Sequence, residues 1–287
     1  MSETKQAAAL DADLAAWIGR RSERHDVMDE RLIAEFTATL SPYLAKATHV
    51  PAGLFWCLAP DIEPMDRLGG DGHPRLGLFL PDPSLPRRMW AGGELIFHED
   101  FRPGDRVTKV GIIEDIASKT GKSGRLCFVT QRNCYSARGR LILEERQDIV
   151  YREPPLPMPR AAAVPIAAAG PAQPGPGDWV VTPTPTLLFR YSAMTFNGHR
   201  IHYDFPYATA VEGYAGLVVH GPLQATLMLN RAIARLGRLP GRFIYRGLAP
   251  LICGRPFSVM ATGGSAGGLE TSVIDAAGET SMSGNAA

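Results

Sequence analysis

The sequence predicts an α+β protein built of two successive units, each a helix set against an antiparallel sheet. Three observations carry this. An amphipathic helix near residue 30 leads into a series of strands ending near residue 151. A Pro/Ala/Gly-rich stretch then interrupts the chain, and beyond it a clearer helix at residues 221–236 precedes another group of strands. At 287 residues the chain has room for two ordinary domains. The boundaries expected are 1–153 for the first unit, 154–178 for a linker and 179–287 for the second.

Residues 1–10 are small and polar and are expected to fray. Asp13 to Ile18 fits one or two helical turns. In the helix that opens at Asp29, Leu32, Ile33, Phe36 and Leu40 fall on one stripe, Asp29 and Glu30 stand in the first turn, and Pro42 ends it. The apolar run PAGLFWCL, Pro51 to Leu58, fits a buried strand. Gly69 to Pro86 is crowded with Gly, Pro and Asp, which reads as a loop and a candidate for facing substrate. Glu94 to Phe101 leads into the RPGD turn at Arg102–Asp105. Val107–Ala117, Leu126–Tyr135 and Arg140–Tyr151 read as strands separated by turns at Gly121, Gly124 and Gly139.

Pro154 to Gly177 has almost no charge and no aromatic residue, so it cannot bury a core. It reads as a linker, with an internal loop of a single domain as the alternative. Trp179 to Leu188 fits a strand. The helix 221–236 presents Leu223, Leu227, Met228, Ile233 and Leu236 on one face and stops at Gly237. Arg242–Tyr245, Pro256–Thr262 and Leu269–Asp275 complete the strands.

Composition narrows the function. Lys and Arg number 30 against 29 Asp and Glu, a balance that creates no field for nucleic acid or an anionic membrane. Small molecules are the expected partners. Cys57, Cys127, Cys134 and Cys253 lie far apart and read as buried free thiols. The acidic, alanine-rich start lacks the pattern of a secretory signal and no apolar run reaches membrane-span length, so a cytoplasmic protein is expected. No glycine-rich nucleotide fingerprint follows a strand. Gly198 and a loop setting argue against zinc at His199 and His202. Neither a metal nor a cofactor is expected.

Two stretches concentrate the chemistry. The first, YSAMTFNGHRIHYD from Tyr191 to Asp204, packs Asn197, His199, Arg200, His202 and Asp204 into eight residues. The second, GLVVHGPL from Gly216 to Leu223, ends in His220-Gly221-Pro222 and turns into the helix. Such an N-terminus carries free N–H groups suited to negative charge. Bland readings stand beside these: His220 can simply orient the turn, Tyr203 and Asp204 can brace the loop, and a lone arginine is often a solvated charge. His25, His49, His73 and His98 have no partner identifiable in the sequence and read as structural or exposed.

The pairing of NGHRIHYD with GLVVHGPL, followed by FIYRGLAPLICG, resembles the MaoC-like enoyl-thioester hydratases. Within them it resembles the hydroxyacyl-thioester dehydratase type 2 branch, which includes mesaconyl-C4-CoA and itaconyl-CoA hydratases. The resemblance is carried mainly by residues 179–260 and implies a double hot-dog fold, each sheet wrapped on a central helix. It implies hydro-lyase chemistry in which His202 activates water, the N–H of Gly221 stabilises an enolate oxygen, and coenzyme A enters only as part of the substrate. Asn197 stands where the family motif has an aspartate. An amide cannot accept a proton at neutral pH, so Asn197 is left to orient water and His199 becomes a second candidate for proton transfer.

Arg200, Arg246, Tyr203 and His220 are the candidates for binding substrate. Arg246 is the first choice for a substrate carboxylate, and Arg238 and Arg242 for the phosphates of coenzyme A. The expected reaction is reversible hydration of a short, branched, dicarboxylic enoyl-CoA. A 3-hydroxyacyl carrier-protein dehydratase, a thioesterase and a non-catalytic acyl-thioester-binding protein are the alternatives, and a homodimer is left open.

Overall fold

The computed structural model describes residues 13–121, 124–153, 177–264 and 267–287. Among the described residues the named elements are, in chain order, β1 Arg21–Val27, α1 Glu30–Leu40, β2 Arg87–Phe97, β3 Arg106–Gly121, β4 Gly124–Ala137, β5 Arg140–Arg152, β6 Trp179–Val181, α2 Pro185–Met194, α3 Gly221–Leu236, β7 Arg242–Gly247, β8 Phe257–Gly263, β9 Leu269–Ile274 and β10 Thr280–Ala286. All strands belong to one antiparallel sheet in the order β1-β3-β4-β5-β2-β7-β10-β9-β8-β6. The sheets of the two halves are therefore joined edge to edge, with Gly92 opposite Arg246 and Ile96 opposite Arg242 along β2 and β7. That seam covers two edges that would otherwise expose unpaired backbone groups. The α+β hot-dog fold is present, as a sheet curved around helix in the second half and continued through the first.

The central helix is α3. Every residue from Leu223 to Ile233 is buried, because β8, β9 and β10 pack across it. It ends at the expected glycine: Gly237 adopts φ +71° and its N–H bonds the Ile233 carbonyl, a left-handed cap open to glycine at no steric cost.

The first half fills its sheet differently. PAGLFWCL is not a strand; Leu54–Cys57 forms a 3-10 turn with all four residues buried. Gly53 turns the chain at φ +92°, and a Cβ there would lie 2.6 Å from the Thr226 hydroxyl on α3. A short apolar run has no periodicity to separate strand from buried turn. The helix α1 is as expected, capped by Asp29, whose carboxylate accepts from the Leu32 N–H at 2.7 Å.

Trp179 to Leu188 also departs from expectation. Only Trp179–Val181 is strand. Thr184 then caps α2, accepting from the Leu187 N–H at 3.1 Å, and Pro185 supplies a first helical residue that needs no donor. Thus Tyr191–Met194, read as loop, is the end of a helix. Strands β1 and β10 were not foreseen: RSERHDV buries no residue, so pairing alone makes it a strand, and TSMSGNA is mostly small and polar, with only Ser281, Met282 and Ala286 buried once it is paired. Residues 154–176 of the expected linker lie outside the described residues. No helix among the described residues is long and apolar enough to cross a membrane.

Candidate functional site

The histidine motif and the loop around residues 69–75 are locked together main chain to main chain. The Arg200 N–H donates to the Asp71 carbonyl at 2.9 Å. Gly72, at φ +87°, faces Gly198, where a Cβ would stop 2.5 Å from the Gly72 carbonyl oxygen. Asn197 folds back on its own chain: Oδ1 accepts from the His199 N–H at 3.0 Å. This Asx turn leaves the side-chain NH2 free to donate.

Four imidazoles lie in contact. The ring centroids of His73 and His199 are 4.2 Å apart, those of His199 and His202 are 5.4 Å apart and nearly perpendicular, and His220 stacks on His202 at 3.6 Å. Nδ1 of His202 faces the Val218 carbonyl at 2.7 Å. A carbonyl only accepts, so Nδ1 carries the proton and Nε2 keeps its lone pair. Burial, and then the neighbouring His199, push His202 down to about 3; it is a neutral base at pH 7. Burial holds His220 well below the usual histidine range, and His202 and His199 add to this. Its Nε2 pairs with the Ser192 hydroxyl at 2.8 Å.

Across from them, His73 Nδ1 meets Asp71 Oδ2 at 2.9 Å, and Asp71 Oδ1 accepts the His73 N–H at 3.0 Å. Burial, and then the charge of Arg88, hold His73 well below its usual range. Burial works against a charge on Asp71, but its bonds to His73 outweigh this and keep the carboxyl low. Behind His199, Glu212 lies 3.9 Å from Nε2 and is held by Arg87 at 3.0 Å and the Tyr207 hydroxyl at 3.2 Å. Asp71, His73 and His199 bring three donor atoms within 4.8 Å of one another, a set chemically able to take zinc. Two of those atoms, Asp71 Oδ2 and His73 Nδ1, are already bonded to each other.

A cavity of about 870 Å³ opens beside this cluster, lined on the motif side by His73, Ser192 and Asn197 and on the sheet side by Trp56, Lys109 and Gln147. His199, His202, His220 and Gly221 are not among its lining residues. His220 meets that lining through its bond to Ser192 and His199 through its ring contact with His73, and His202 lies between the two. Below Trp56, the fully buried Glu145 accepts from Trp56 Nε1 at 2.6 Å, Gln147 at 2.7 Å, and Asn133 and Tyr135 at 3.0 Å each. With both oxygens saturated, Glu145 has no lone pair left to act as a base on substrate.

The expected binding residues fall unevenly around the cavity. Arg200 lines it, but its guanidinium is committed to Asp204 at 2.7 and 2.9 Å and to the Gly70 carbonyl. Tyr203 lines it and donates to the Gly198 carbonyl at 3.0 Å, a brace for the loop. His220 stacks on His202 rather than meeting the cavity.

Arg246 is not brought to the site: β7 leaves it exposed, opposite Gly92 and Ser283. Arg242 pairs with Glu94, and Arg238 bonds the Leu239 carbonyl; neither lines the cavity. Packing alone already demands glycine at position 221, since a Cβ there would lie 2.5 Å from the Trp90 ring.

The sequence reading missed four cations that line the cavity, Arg24, Arg75, Arg88 and Lys109. Arg24 is paired with Asp61 and Arg75 donates to the Leu68 carbonyl at 3.0 Å, whereas Arg88 and Lys109 form no ion pair among the described residues. It also placed His73 among the unassigned histidines. The available signal was local: Asp-Gly-His inside a glycine-rich loop is the pattern of an Asx turn.

Comparison with known proteins converges on one family. The hydroxyacyl-thioester dehydratase type 2 family matches residues 54–253. Mesaconyl-C(4)-CoA hydratase of Chloroflexus aurantiacus is 41% identical over 253 residues, covering 87% of this chain and 89% of that protein. The mitochondrial hydroxyacyl-thioester dehydratase type 2 of Schizosaccharomyces pombe is 30% identical over 273 residues, covering 82% and 87%. In fold, the chain resembles HtdX of Mycobacterium tuberculosis (TM-score 0.64, 17% identity, 93% of this chain and 98% of that one). It also resembles another protein of that organism, described as a double hotdog fold (TM-score 0.54, 15% identity, 94% and 95%). The family match runs from the buried 3-10 turn of the first half through the histidine motif to the start of the last strands of the second, and the chain belongs to the hydroxyacyl-thioester dehydratase type 2 family.

Proposed function

We propose that the chain is a hydro-lyase that reversibly adds water to the α,β-double bond of an enoyl-CoA, with a short dicarboxylic acyl group as substrate. The observation that supports the substrate class is that Arg88 and Lys109 line a cavity bordered by the histidine motif without forming an ion pair among the described residues. A guanidinium not bonded to a carboxylate is suited to a substrate carboxylate. The 41% identical relative is named for such a substrate.

In this reading His202 presents its Nε2 lone pair to the nucleophilic water and Asn197 donates from its NH2 group to orient the water. His199 stands next in line for proton transfer. The N–H of Gly221, first in α3 and without an intrahelical acceptor, stabilises negative charge on the thioester oxygen. Coenzyme A enters with the substrate, and no other cofactor or metal is required by acid–base chemistry of this kind. We place the protein in the cytoplasm; its four cysteines are free thiols, in keeping with a reducing compartment.

The test is direct. Crotonyl-CoA and mesaconyl-C4-CoA are incubated with the protein and loss of the conjugated double bond is followed by absorbance. Turnover of mesaconyl-C4-CoA in preference to crotonyl-CoA is expected. No turnover of either, with tight binding of both, sinks the reading in favour of an acyl-thioester-binding protein.

A further inference from the structure

Adding water across the double bond requires a group that takes the proton the water gives up and another, or the same one, that delivers a proton to Cα. The family motif supplies a carboxylate for this at the position occupied here by Asn197, and an amide cannot carry the proton. His202 alone is poorly equipped to hold it. Its Nδ1 bonds a neutral carbonyl, it is buried, and His220 is stacked on it at 3.6 Å, so nothing anionic touches the imidazolium that would form. Glu212 does not fill the gap, because Arg87 and Tyr207 occupy it and it is not on the cavity surface.

Resting on the hydratase reading above, we propose that Asp71 and His73, from the first half of the chain, form the proton-carrying pair of this site, with His73 as catalytic base and acid and Asp71 as its positioning residue. Three observations support it. His73 lines the cavity together with Asn197. Its Nδ1 is held by the Asp71 carboxylate at 2.9 Å, which leaves the Nε2 lone pair available and compensates the ring when it becomes charged. The loop is fixed to the histidine motif by the Arg200–Asp71 backbone bond and the Gly72–Gly198 contact, so His73 has the same rigid support as His202.

The step balances without any further reactant. Water oxygen bonds Cβ, the π-electron pair moves to Cα and the thioester oxygen, and one water proton passes to His73 Nε2 while the other stays on the new hydroxyl, hydrogen-bonded to His202 Nε2. The enolate then collapses and takes that proton at Cα, which returns His73 to the neutral form. The low resting basicity of His73, set by burial and Arg88, keeps it unprotonated and ready for the next cycle.

Full-length protein carrying His73→Ala, His73→Gln or Asp71→Asn is assayed on mesaconyl-C4-CoA, with circular dichroism and urea midpoints to check folding. Both His73 variants are expected to lose at least about 100-fold in kcat, with KM changed less than about threefold if the ring carries protons rather than binds substrate. Asp71→Asn is expected to lose at least roughly tenfold by weakening the carboxylate–imidazole pair. Added imidazole should restore His73→Ala in a dose-dependent way, which a merely structural histidine would not allow.

A folded His73→Gln with wild-type kcat, or a His73→Ala loss that appears only in KM and resists imidazole, overturns the assignment while the hydratase reading stands. Loss of wild-type turnover on chelation with recovery on added zinc also overturns it, in favour of a metal at Asp71, His73 and His199. A wild-type protein inactive on every enoyl-CoA overturns the underlying reading and this assignment with it. Should His73→Ala fail to fold, the kcat of His73→Gln and Asp71→Asn decides.

Discussion

Gly72 and Gly198 meet back to back: a Cβ built on Gly72 overlaps the Gly198 carbonyl oxygen, and one built on Gly198 stops 2.5 Å from the Gly72 carbonyl oxygen. This contact between backbones holds the Asp71–His73 loop against Asn197 and His199. Neither obstacle is a side-chain tip that can swing aside, and Gly72 also needs φ +87°. Gly72→Ala should therefore cost more than about 1 kcal/mol of stability. It should lower activity further than the stability loss explains, because the two walls of the site separate. Urea midpoints and kcat measured side by side check this; wild-type values for both would show that the loops dock in some other way.

Gly221→Ala should act through Trp90. The new methyl group would lie 2.5 Å from the indole, and overpacking of that kind typically costs about 1–3 kcal/mol. Trp90 also packs against Tyr245 and Trp56, at 4.7 and 5.8 Å between rings, so its displacement changes a cluster on the cavity side of the sheet. The expected outcome is a shifted tryptophan emission spectrum together with reduced kcat/KM. An unchanged spectrum with reduced kcat/KM would instead assign the loss to the N–H of Gly221.

Much of this was legible in the chain, for identifiable reasons. The helix α3 was read to its termini because its apolar stripe, Pro222 and Gly237 are independent signals that agree. His202, Asn197 and His199 stand out in the chain because polar density in a short segment is itself unusual, and the fold keeps them side by side. What escaped was whatever depended on distant contacts. PAGLFWCL turns because Gly53 is pressed against Thr226, far away in sequence. β1 is a strand only by pairing, and β10 by pairing and the burial of Met282 and Ala286. Arg246, the first choice for a substrate carboxylate, is left exposed by β7, whereas Arg88 on β2, which nothing in the sequence singles out, lies on the cavity wall. His73 could not be linked to His199 without the fold that brings residues 69–75 onto the motif.

His202→Ala should lower turnover at least about 100-fold, because it removes the acceptor that holds the reacting water in place, with the fold intact by circular dichroism. Near-normal turnover would remove His202 from the reaction. The same residue shapes acid stability. Its folded value, about 3, lies below the ordinary 6.5, so between those values the unfolded chain binds a proton that the folded chain does not. Stability is then fully present above about pH 6.5 and is lost as pH falls toward 3. Burial shifts His220 and His73 in the same direction and steepens the effect. Urea midpoints measured from pH 7.5 to 4.5 should fall with acid, and more shallowly in His202→Gln than in the wild type.

Substrate charge should be read by Arg88 and Lys109, not Arg246. Lys109 lies on β3 with its ammonium 5.4 Å from the centre of the Tyr135 ring; burial lowers its pKa, and Glu145 is the nearest influence in the other direction. Arg88 is close enough to His73 and Asp71 to lower both, so a carboxylate bound there would sit next to the reacting groups. Replacing either cation by glutamine should remove a charge-assisted hydrogen bond, worth about 1.5–3 kcal/mol, or roughly 10- to 150-fold in kcat/KM for mesaconyl-C4-CoA. Crotonyl-CoA has no carboxylate to lose, and its kcat/KM should change far less. Arg246→Gln, on the exposed face of β7, should leave both substrates unaffected. Equal losses on the two substrates would mean that Arg88 and Lys109 serve the thioester or coenzyme A portion, and a selective loss in Arg246→Gln would mean that the carboxylate is held at the β2–β7 seam.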